Sequence, residues 1–219
     1  MDKLHFTIDD ERVKHLSEVD TTLSKLIKVV GTVEVPLKKD YYNSLVKQII
    51  GQQLSLKAAH TIISRVEKIW GNFDPYLLND IRDEEIRSAG VSTPKLKYIR
   101  NLTEKHLSNE IDFSSIHLLN DKEVIEILTS VKGIGNWTAE MFLIFSLGRL
   151  DVLSYGDISI KNAIKWLYQI EKEVPLNLDL NYEKWKPYNT IVSLYLWKAI
   201  DLGLVKKHPN ELELIKKID

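Results

Sequence analysis

Two short stretches carry the residue types that could do chemistry. The run from Val131 to Ala139 contains Gly133-Ile134-Gly135, and Gly156-Asp157 follows about twenty residues later. A tight glycine turn that opens an apolar helix can present backbone N–H groups to a phosphate. A single carboxylate downstream can stabilise positive charge or activate a water molecule. Together the two stretches indicate a phosphate-bearing ligand and one acidic group.

Each of these features has two interpretations. The glycine turn is either an ordinary corner between two helices, where glycine supplies a positive φ, or a helix–hairpin–helix. In a helix–hairpin–helix the amides of Gly133, Gly135 and their neighbours bind one DNA phosphate, and Lys132 adds a positive charge. Asp157 suits both a helix N-cap and a chemical role, and the two roles are compatible.

Composition excludes several classes of protein. The chain has 219 residues, 44% of them hydrophobic, with a net charge of −1 and no cysteine. Disulfides, thiolate zinc sites and cysteine-ligated iron–sulfur clusters are therefore excluded, and the six histidines show no metal-binding spacing. No apolar run approaches the roughly 18 residues of a membrane span, and the first residues lack an apolar signal core, so we expect an intracellular protein. Because the charge is near neutral, any DNA contact must use a local patch or backbone amides.

Apolar spacing is helical nearly everywhere, which predicts an all-α protein. One apolar stripe contains Tyr42, Leu45, Val46, Ile49 and Ile50 and ends at Gly51. A Ser55 cap opens the next helix, which places Gln52 and Gln53 on the bend between the two.

The remaining helices position the glycine turn and the acid. Thr93-Pro94 predicts a cap and first turn, and a central buried helix is expected from Trp137 to Leu147. Further helices are expected from near Asp157 and over residues 182–203, with a linker from Pro175 to Asn181. The helix after Thr93-Pro94 has a basic face that consists of Lys95, Lys97, Arg100 and Lys105. This face either contacts phosphates or is merely solvated.

Three stretches together resemble one family. Gly133 to Phe142 with Asp157 downstream, Ile49 to Ser55, and Trp185 to Tyr188 with Trp197 are similar to the helix–hairpin–helix (HhH-GPD) DNA glycosylase superfamily. Within it they resemble the DNA-3-methyladenine glycosylase II branch, over about residues 20–203. The resemblance implies a two-lobed all-α fold. The chain is too short for the N-terminal β domain of the bacterial enzyme.

The resemblance also implies site residues. Asp157 matches the catalytic aspartate. At the position of Trp137 the members that also cut the backbone have a lysine, so a monofunctional enzyme is expected. The base pocket would be formed by Trp137, Trp197, Tyr188 and Met141, and electron-rich rings suit a cationic flipped base.

DNA contacts follow from the same resemblance. Gln53 lies at the position of the intercalating wedge, with Gln52 beside it. Asn136 and Thr138 would join Gly133, Gly135 and Lys132 at the hairpin. No cofactor is required, although the family implies a Na⁺ or K⁺ ion held by the main-chain carbonyls of Thr129, Val131 and Ile134.

The sequence thus predicts one helical lobe over residues 41–149, with the helix–hairpin–helix at about 121–148. Residues 1–40 and 150–219 would form a second lobe that carries Asp157, with double-stranded DNA in the cleft between them. The expected function is excision of alkylated purines such as 3-methyladenine and 7-methylguanine in base excision repair by a monomer. Three alternatives stay open: another lesion such as ethenoadenine, hypoxanthine or uracil; a non-catalytic DNA-binding protein; and a helical scaffold.

Overall fold

A computed structural model of the protein describes residues 2–154, 156–171, 173–176 and 183–214. It divides into two compact units. One unit combines Met1–Leu37 with Gly148–Asp219, and the other is Lys38–Leu147. The sequence had placed the boundaries at 40/41 and 149/150. None of the described helices is both long enough and apolar enough to cross a membrane.

Helices make up most of the described chain, as predicted for an all-α fold. In chain order the α-helices are α1 (Glu11–Val19), α2 (Thr21–Val30), α3 (Tyr41–Gly51), α4 (Leu56–Trp70), α5 (Asp83–Ser88), α6 (Thr93–Leu107), α7 (Asp121–Thr129), α8 (Asn136–Phe142), α9 (Ile158–Leu167) and α10 (Asn189–Asp201), and the strands are β1 (Lys3–Phe6) and β2 (Val33–Pro36).

In the unit Lys38–Leu147, α3 is the central helix and packs against α4, α6 and α8. The predicted stripe of α3 is buried, with each of its members at most 5% exposed. The bend after α3 is confirmed, since Ser55 Oγ accepts the N–H of Ala58 at 3.3 Å and begins α4. Tyr42 of α3 also joins an aromatic cluster that contains Trp70, Phe113 and His106. This packing fixes the base of α3 and so the position of the bend that follows it.

The predicted helix from Trp137 to Leu147 is wrong in two respects. The α-helix ends at Phe142 and continues as a π-helical turn over Leu143–Leu147. Its start is not buried on all sides, because Asn136 is exposed and Trp137 is 47% exposed, whereas Phe142 and Ile144 are fully buried. The helix is thus a core element only from Thr138 onward.

The predicted cap of α6 is displaced by one residue. Ser92 occupies the N-cap position without a capping bond from its side chain, and Thr93 and Pro94 form the first turn. Proline fits there because the first N–H groups of a helix have no intrahelical partner.

The other unit contains a short antiparallel sheet that the sequence did not predict. Strand β1 pairs with β2 so that Leu4 lies opposite Val35 and Phe6 opposite Val33. Leu4 and Phe6 are buried and their neighbours Lys3 and His5 are exposed. Four-residue strands give too few alternations for a period of two to stand out in the sequence. The sheet adds a small cover to a helical unit and does not form a separate β domain.

The predicted helix over residues 182–203 is wrong at its start. The α-helix begins only at Asn189, after a 3₁₀ turn over Glu183–Trp185. Pro187 explains the late start, because it lacks an N–H and disfavours helical backbone at the residue before it. Residue 182, Tyr155 and linker residues 177–181 lie outside the described residues.

Asp20 is the buried polar centre of this unit. Its Oδ1 accepts the N–H of Leu23 at 2.9 Å and caps α2. Its Oδ2 accepts from the Tyr168 hydroxyl at 2.6 Å and from Trp185 Nε1 at 2.9 Å, and Lys184 Nζ lies 2.7 Å away. One carboxylate therefore ties the start of α2 to the end of α9 and to the 3₁₀ turn.

Candidate functional site

The glycine hairpin joins α7 to α8, and its two glycines have different reasons to be glycine. Gly133 has φ +86°, and a Cβ there would lie 2.1 Å from the ring of Tyr98. Gly135 is the N-cap of α8 with φ −95°, and a Cβ there would meet nothing within 4 Å. Packing therefore demands a glycine at 133, whereas at 135 the absent side chain leaves open space beside the backbone.

Backbone amides at the hairpin are divided between the protein and solvent. The Lys132 N–H donates to Asn101 Oδ1 at 3.0 Å, so only the side chain of Lys132 is left to contact a ligand. Within the described part of the chain, the N–H groups of Gly133 and Gly135 donate to no protein acceptor. Both residues are exposed, so the two amides are available to an anion at the hairpin.

A hydrogen-bonded link connects the hairpin to the bend after α3. Gln52 Nε2 donates to the carbonyl oxygen of Gly133 at 2.8 Å. Lys95 Nζ donates to the carbonyl oxygens of Ile50 at 2.9 Å and of Gln52 at 2.6 Å. Burial lowers the pKa of Lys95 below its usual value. The lysine thus closes the carbonyl end of α3 and holds Gln52 against the hairpin.

Three of the four cations on the basic face of α6 are engaged within the protein, so this face is neither simply phosphate-facing nor merely solvated. Lys95 binds the two carbonyls at the bend. Arg100 pairs with Asp83 and donates to the carbonyl of Ile81 at 3.1 Å, and Lys105 Nζ lies 2.6 Å from Glu110. These cations bind carbonyls and carboxylates of the protein itself. The composition of the helix face could not show these partners.

Sequence reasoning also missed the face of α6 that supports the hairpin. Lys95, Tyr98 and Asn101 contact the bend, Gly133 and Lys132 respectively. Their spacing of three residues places them on one face of the helix, and this spacing is visible in the sequence. The sequence does not show that the hairpin packs against this face, so the role of the three residues could not be predicted.

An open pocket of about 1050 Å³ lies between the bend and α8. Much of its wall is apolar and includes Trp137, Met141 and Phe145. The predicted site residues Gly133, Gly135, Thr138, Gln52 and Gln53 also line it. Thr138 is only 4% exposed, so its side chain forms part of the wall. Asn136 and Lys132 are exposed beside it.

The bend presents an unusual surface beside this pocket. Gln53 is exposed and has φ +57°, a left-handed conformation that few residues other than glycine adopt. Leu54 is 38% exposed and Leu56 is 91% exposed. Exposed leucines on a strained turn indicate a contact surface and not a core position.

The predicted site residues Asp157, Tyr188 and Trp197 belong to the other unit. Asp157 is 8% exposed and caps α9, with Oδ1 accepting the N–H of Ser159 at 2.7 Å and of Ile160 at 3.1 Å. Both capping bonds end on Oδ1, which fixes the direction of the carboxylate. Tyr188 is the N-cap residue of α10, with its ring 5.7 Å from that of His15, and Trp197 lies partly exposed on α10. Among the described side chains, no group of three or more acidic, histidine or cysteine residues could hold a metal ion.

Comparisons with known proteins show the family of the chain. The family described as HhH-GPD superfamily base excision DNA repair protein matches residues 46–187. DNA-3-methyladenine glycosylase 1 of Schizosaccharomyces pombe is 36% identical over 198 residues, 86% of this chain and 86% of that protein.

Two solved structures are also similar. The crystal structure of a DNA-3-methyladenine glycosidase from Bacillus halodurans is 41% identical with a TM-score of 0.86, over 96% of this chain and 99% of that one. The 3-methyladenine DNA glycosylase of S. pombe in complex with abasic DNA is 33% identical with a TM-score of 0.78, over 88% and 98%. The family match over residues 46–187 includes the hairpin and Asp157, and the chain therefore belongs to the HhH-GPD superfamily of base excision DNA repair proteins.

Proposed function

We propose that the protein is a monofunctional DNA glycosylase that hydrolyses the N-glycosidic bond of flipped alkylated purines and leaves an abasic site. The observation that carries this proposal is the open, largely apolar pocket lined by Trp137, directly beside a hairpin with two unused amides. The relatives named as 3-methyladenine glycosylases support the base class. Substrates would be bases of the 3-methyladenine and 7-methylguanine type.

Asp157 is the group proposed to act on the sugar. Cleavage of an N-glycosidic bond passes through an oxocarbenium-like sugar, which a carboxylate facing C1′ stabilises while it orients or deprotonates water. The two capping bonds to Oδ1 hold the side chain in one direction, so little reorganisation is needed. One acid suffices because an alkylated purine carries a positive charge that it loses on departure.

Trp137 accounts for two properties of the proposed reaction. Its indole has no amine that could form a Schiff base with the sugar, so hydrolysis would leave the DNA strand intact. Its half-exposed ring offers a π face to a cationic base, an attraction of order 1–2 kcal/mol when water is excluded. Met141 adds a polarisable apolar wall.

DNA would be held mainly without basic side chains. The amides of Gly133 and Gly135, with Lys132 and Asn136 beside them, would bind a backbone phosphate. Gln53 and the exposed leucines at the bend would fill the space left by the flipped base. Binding through backbone amides fits a net charge of −1. An enzyme that acts on genomic DNA would work inside the cell, and we expect it to act as a monomer.

A monovalent cation at the hairpin forms part of the proposal. The carbonyls of Thr129, Val131 and Ile134 would hold Na⁺ or K⁺. Val131 O accepts one hydrogen bond from Ile134 N at 3.1 Å and retains a second lone pair, so this carbonyl could also bind such an ion. When bound, the ion would add positive charge beside the phosphate.

Single-turnover release of methylated purines from alkylated duplex DNA tests the proposal. The expected result is free 3-methyladenine or 7-methylguanine together with abasic sites that break only after alkali. Strand breaks without alkali would contradict the monofunctional mechanism. Binding without release of any base from a panel of lesions would favour a non-catalytic DNA-binding protein, and no binding even at low salt would favour a scaffold.

A further inference from the structure

Gln48 has a side chain that the fold leaves without a partner. It lies on α3, one turn before the bend, and lines the pocket. Its Oε1 is buried and accepts no hydrogen bond from a described protein group. Across the described residues, no hydrogen bond uses either end of this amide. A buried polar group without a partner disfavours folding, so its presence calls for a reason.

The other buried acceptors without partners differ from Gln48. Asn43 Oδ1 and Asn189 Oδ1 are the further cases in the described part of the chain. Neither residue lines the pocket, and each donates its amide hydrogens within the protein, Asn43 to the carbonyl of Asn72 at 2.8 Å and Asn189 to Asp151 at 2.6 Å. Gln48 alone among the three combines an unused amide with a place in the pocket wall.

Neighbouring polar groups in the pocket cannot substitute for this amide. Gln52 Nε2 already donates to the carbonyl oxygen of Gly133, and Lys47 is paired with Glu67 at 2.7 Å. Lys38 lines the pocket but its ammonium can only donate. Gln53 lies on the exposed turn. Among the glutamines that line the pocket, Gln48 is therefore the one whose amide is set into the wall and is not bonded to another described residue.

We propose that Gln48 determines which bases the pocket accepts, by pairing both ends of its amide with a purine edge. A rotation about its last side-chain torsion, which has a broad energy minimum, would turn both ends toward the base. The edge must carry a donor next to an acceptor, as do the amino group and ring nitrogen of 3-methyladenine and the N1–H and O6 of 7-methylguanine or hypoxanthine. 1,N6-Ethenoadenine has no N–H donor on that edge, so Gln48 selects against it.

This inference rests on the proposed glycosylase activity and names its substrate class. A paired amide discriminates bases by about 5- to 150-fold, the range of a bidentate contact to a base edge. The same contact removes the cost of the unpaired acceptor in the substrate complex. Gln48 thus supplies specificity at the expense of stability in the free protein.

The test compares wild type with Gln48→Met, which keeps the length of the side chain and removes its polar atoms. Single-turnover release is measured from duplexes that contain 7-methylguanine, hypoxanthine or ethenoadenine, together with the free energy of unfolding in urea. We expect Gln48→Met to be at least as stable as wild type. Release of 7-methylguanine and hypoxanthine should fall about 5- to 150-fold, while ethenoadenine release stays equal or rises.

Asn43→Ala is the matched control on the same helix, because it removes an unpaired acceptor outside the pocket. It should lower stability and leave the ratios between lesions unchanged. Equal rates for wild type and Gln48→Met, or an equal loss on all three lesions, would overturn the role of Gln48 while the glycosylase activity stands. If wild type releases none of the three bases or 3-methyladenine, the proposed function itself fails, and the inference fails with it.

Discussion

Gln52 donates from Nε2 to the carbonyl oxygen of Gly133 over 2.8 Å, although 81 residues separate them in sequence. The bond joins the bend after α3 to the hairpin before α8. These are the two loops proposed to contact DNA from one unit. Lys95 supports the same junction from α6. The two loops are therefore expected to act as one surface.

Removal of this bond should weaken DNA binding. Gln52→Ala is expected to cost about 1 kcal/mol of unfolding free energy, the usual net worth of one hydrogen bond, and to reduce affinity for duplex DNA several-fold. Fluorescence anisotropy and urea denaturation measure the two effects. Gln53→Ala is the control for stability, since Gln53 is exposed and should leave the unfolding free energy nearly unchanged. Wild-type affinity in Gln52→Ala would show that the loops bind independently.

The two hairpin glycines should respond oppositely to alanine. Gly133→Ala places a methyl group 2.1 Å from the Tyr98 ring at a positive φ, and is expected to destabilise the protein by about 2–4 kcal/mol. Gly135→Ala meets nothing and has an ordinary φ, so the loss of stability should be only the roughly 1 kcal/mol by which Ala is a poorer N-cap residue than Gly. A methyl group at 135 should nevertheless obstruct a phosphate and lower DNA affinity by about tenfold. Unchanged binding by a folded Gly135→Ala protein would remove the hairpin from the DNA interface.

Substitution of Trp137 and of Trp185 should distinguish a tryptophan that binds the base from one that packs in the core. Trp137 is 47% exposed, whereas Trp185 is 1% exposed and bonded to Asp20. Trp137→Ala should cost less than about 1.5 kcal/mol of stability and markedly slow base release, because the base loses its stacking surface. Trp185→Ala should cost about 3–5 kcal/mol. Thermal unfolding with single-turnover kinetics on 7-methylguanine measures both, and normal release by Trp137→Ala would assign this ring to packing alone.

Acid should weaken the unit that contains Asp20. Burial by itself raises the pKa of this carboxyl, but hydrogen bonds from Leu23 N–H, Lys184 and Tyr168 outweigh it and hold the pKa below its ordinary 3.8. A lowered folded pKa means that the stabilisation is complete above the unfolded value and is lost as pH falls through the folded one.

Asp20→Asn tests this sign. The variant should be less stable by about 1–3 kcal/mol at pH 7, since an amide has one acceptor oxygen in place of two and cannot accept from both Leu23 N–H and Trp185 Nε1–H. The difference between the two proteins should shrink as the pH falls below about 4. Urea denaturation at pH 7, 5 and 3 measures the difference, and a gap that stays constant over this range would show that the charge of Asp20 is not what stabilises the unit.

Local chemistry explains what could be predicted from the sequence. The starts of α4 and α9 follow from Ser55 and Asp157, because capping side chains precede apolar runs. Pro187 indicates that α10 starts after it, because proline disfavours helical backbone at the preceding residue. The helical spacing of the apolar residues Trp185 and Tyr188 nevertheless favoured an earlier start, and that prediction was wrong.

Contacts to backbone could not be predicted in this way. Lys95 binds two carbonyls at the bend, and the Tyr98 ring rests on Gly133. Every residue has a backbone carbonyl, so the amino-acid sequence does not show which carbonyl a lysine will bind. The unpaired amide of Gln48 is likewise visible only once the surrounding side chains are placed.

The catalytic role of Asp157 is the central claim, and the exchange of its carboxylate for an amide tests it most directly. Asn caps a helix about as well as Asp, so Asp157→Asn should unfold with a free energy within about 0.5 kcal/mol of wild type and still bind DNA. Asp40→Asn is the matched control, since Asp40 caps α3 through the N–H of Asn43 at 3.0 Å and has no proposed role in chemistry. In single-turnover release of 7-methylguanine, Asp157→Asn should be slower by at least about a hundredfold and Asp40→Asn unchanged. A folded, DNA-binding Asp157→Asn protein that releases the base at the wild-type rate would show that Asp157 only caps α9, and would contradict the mechanism.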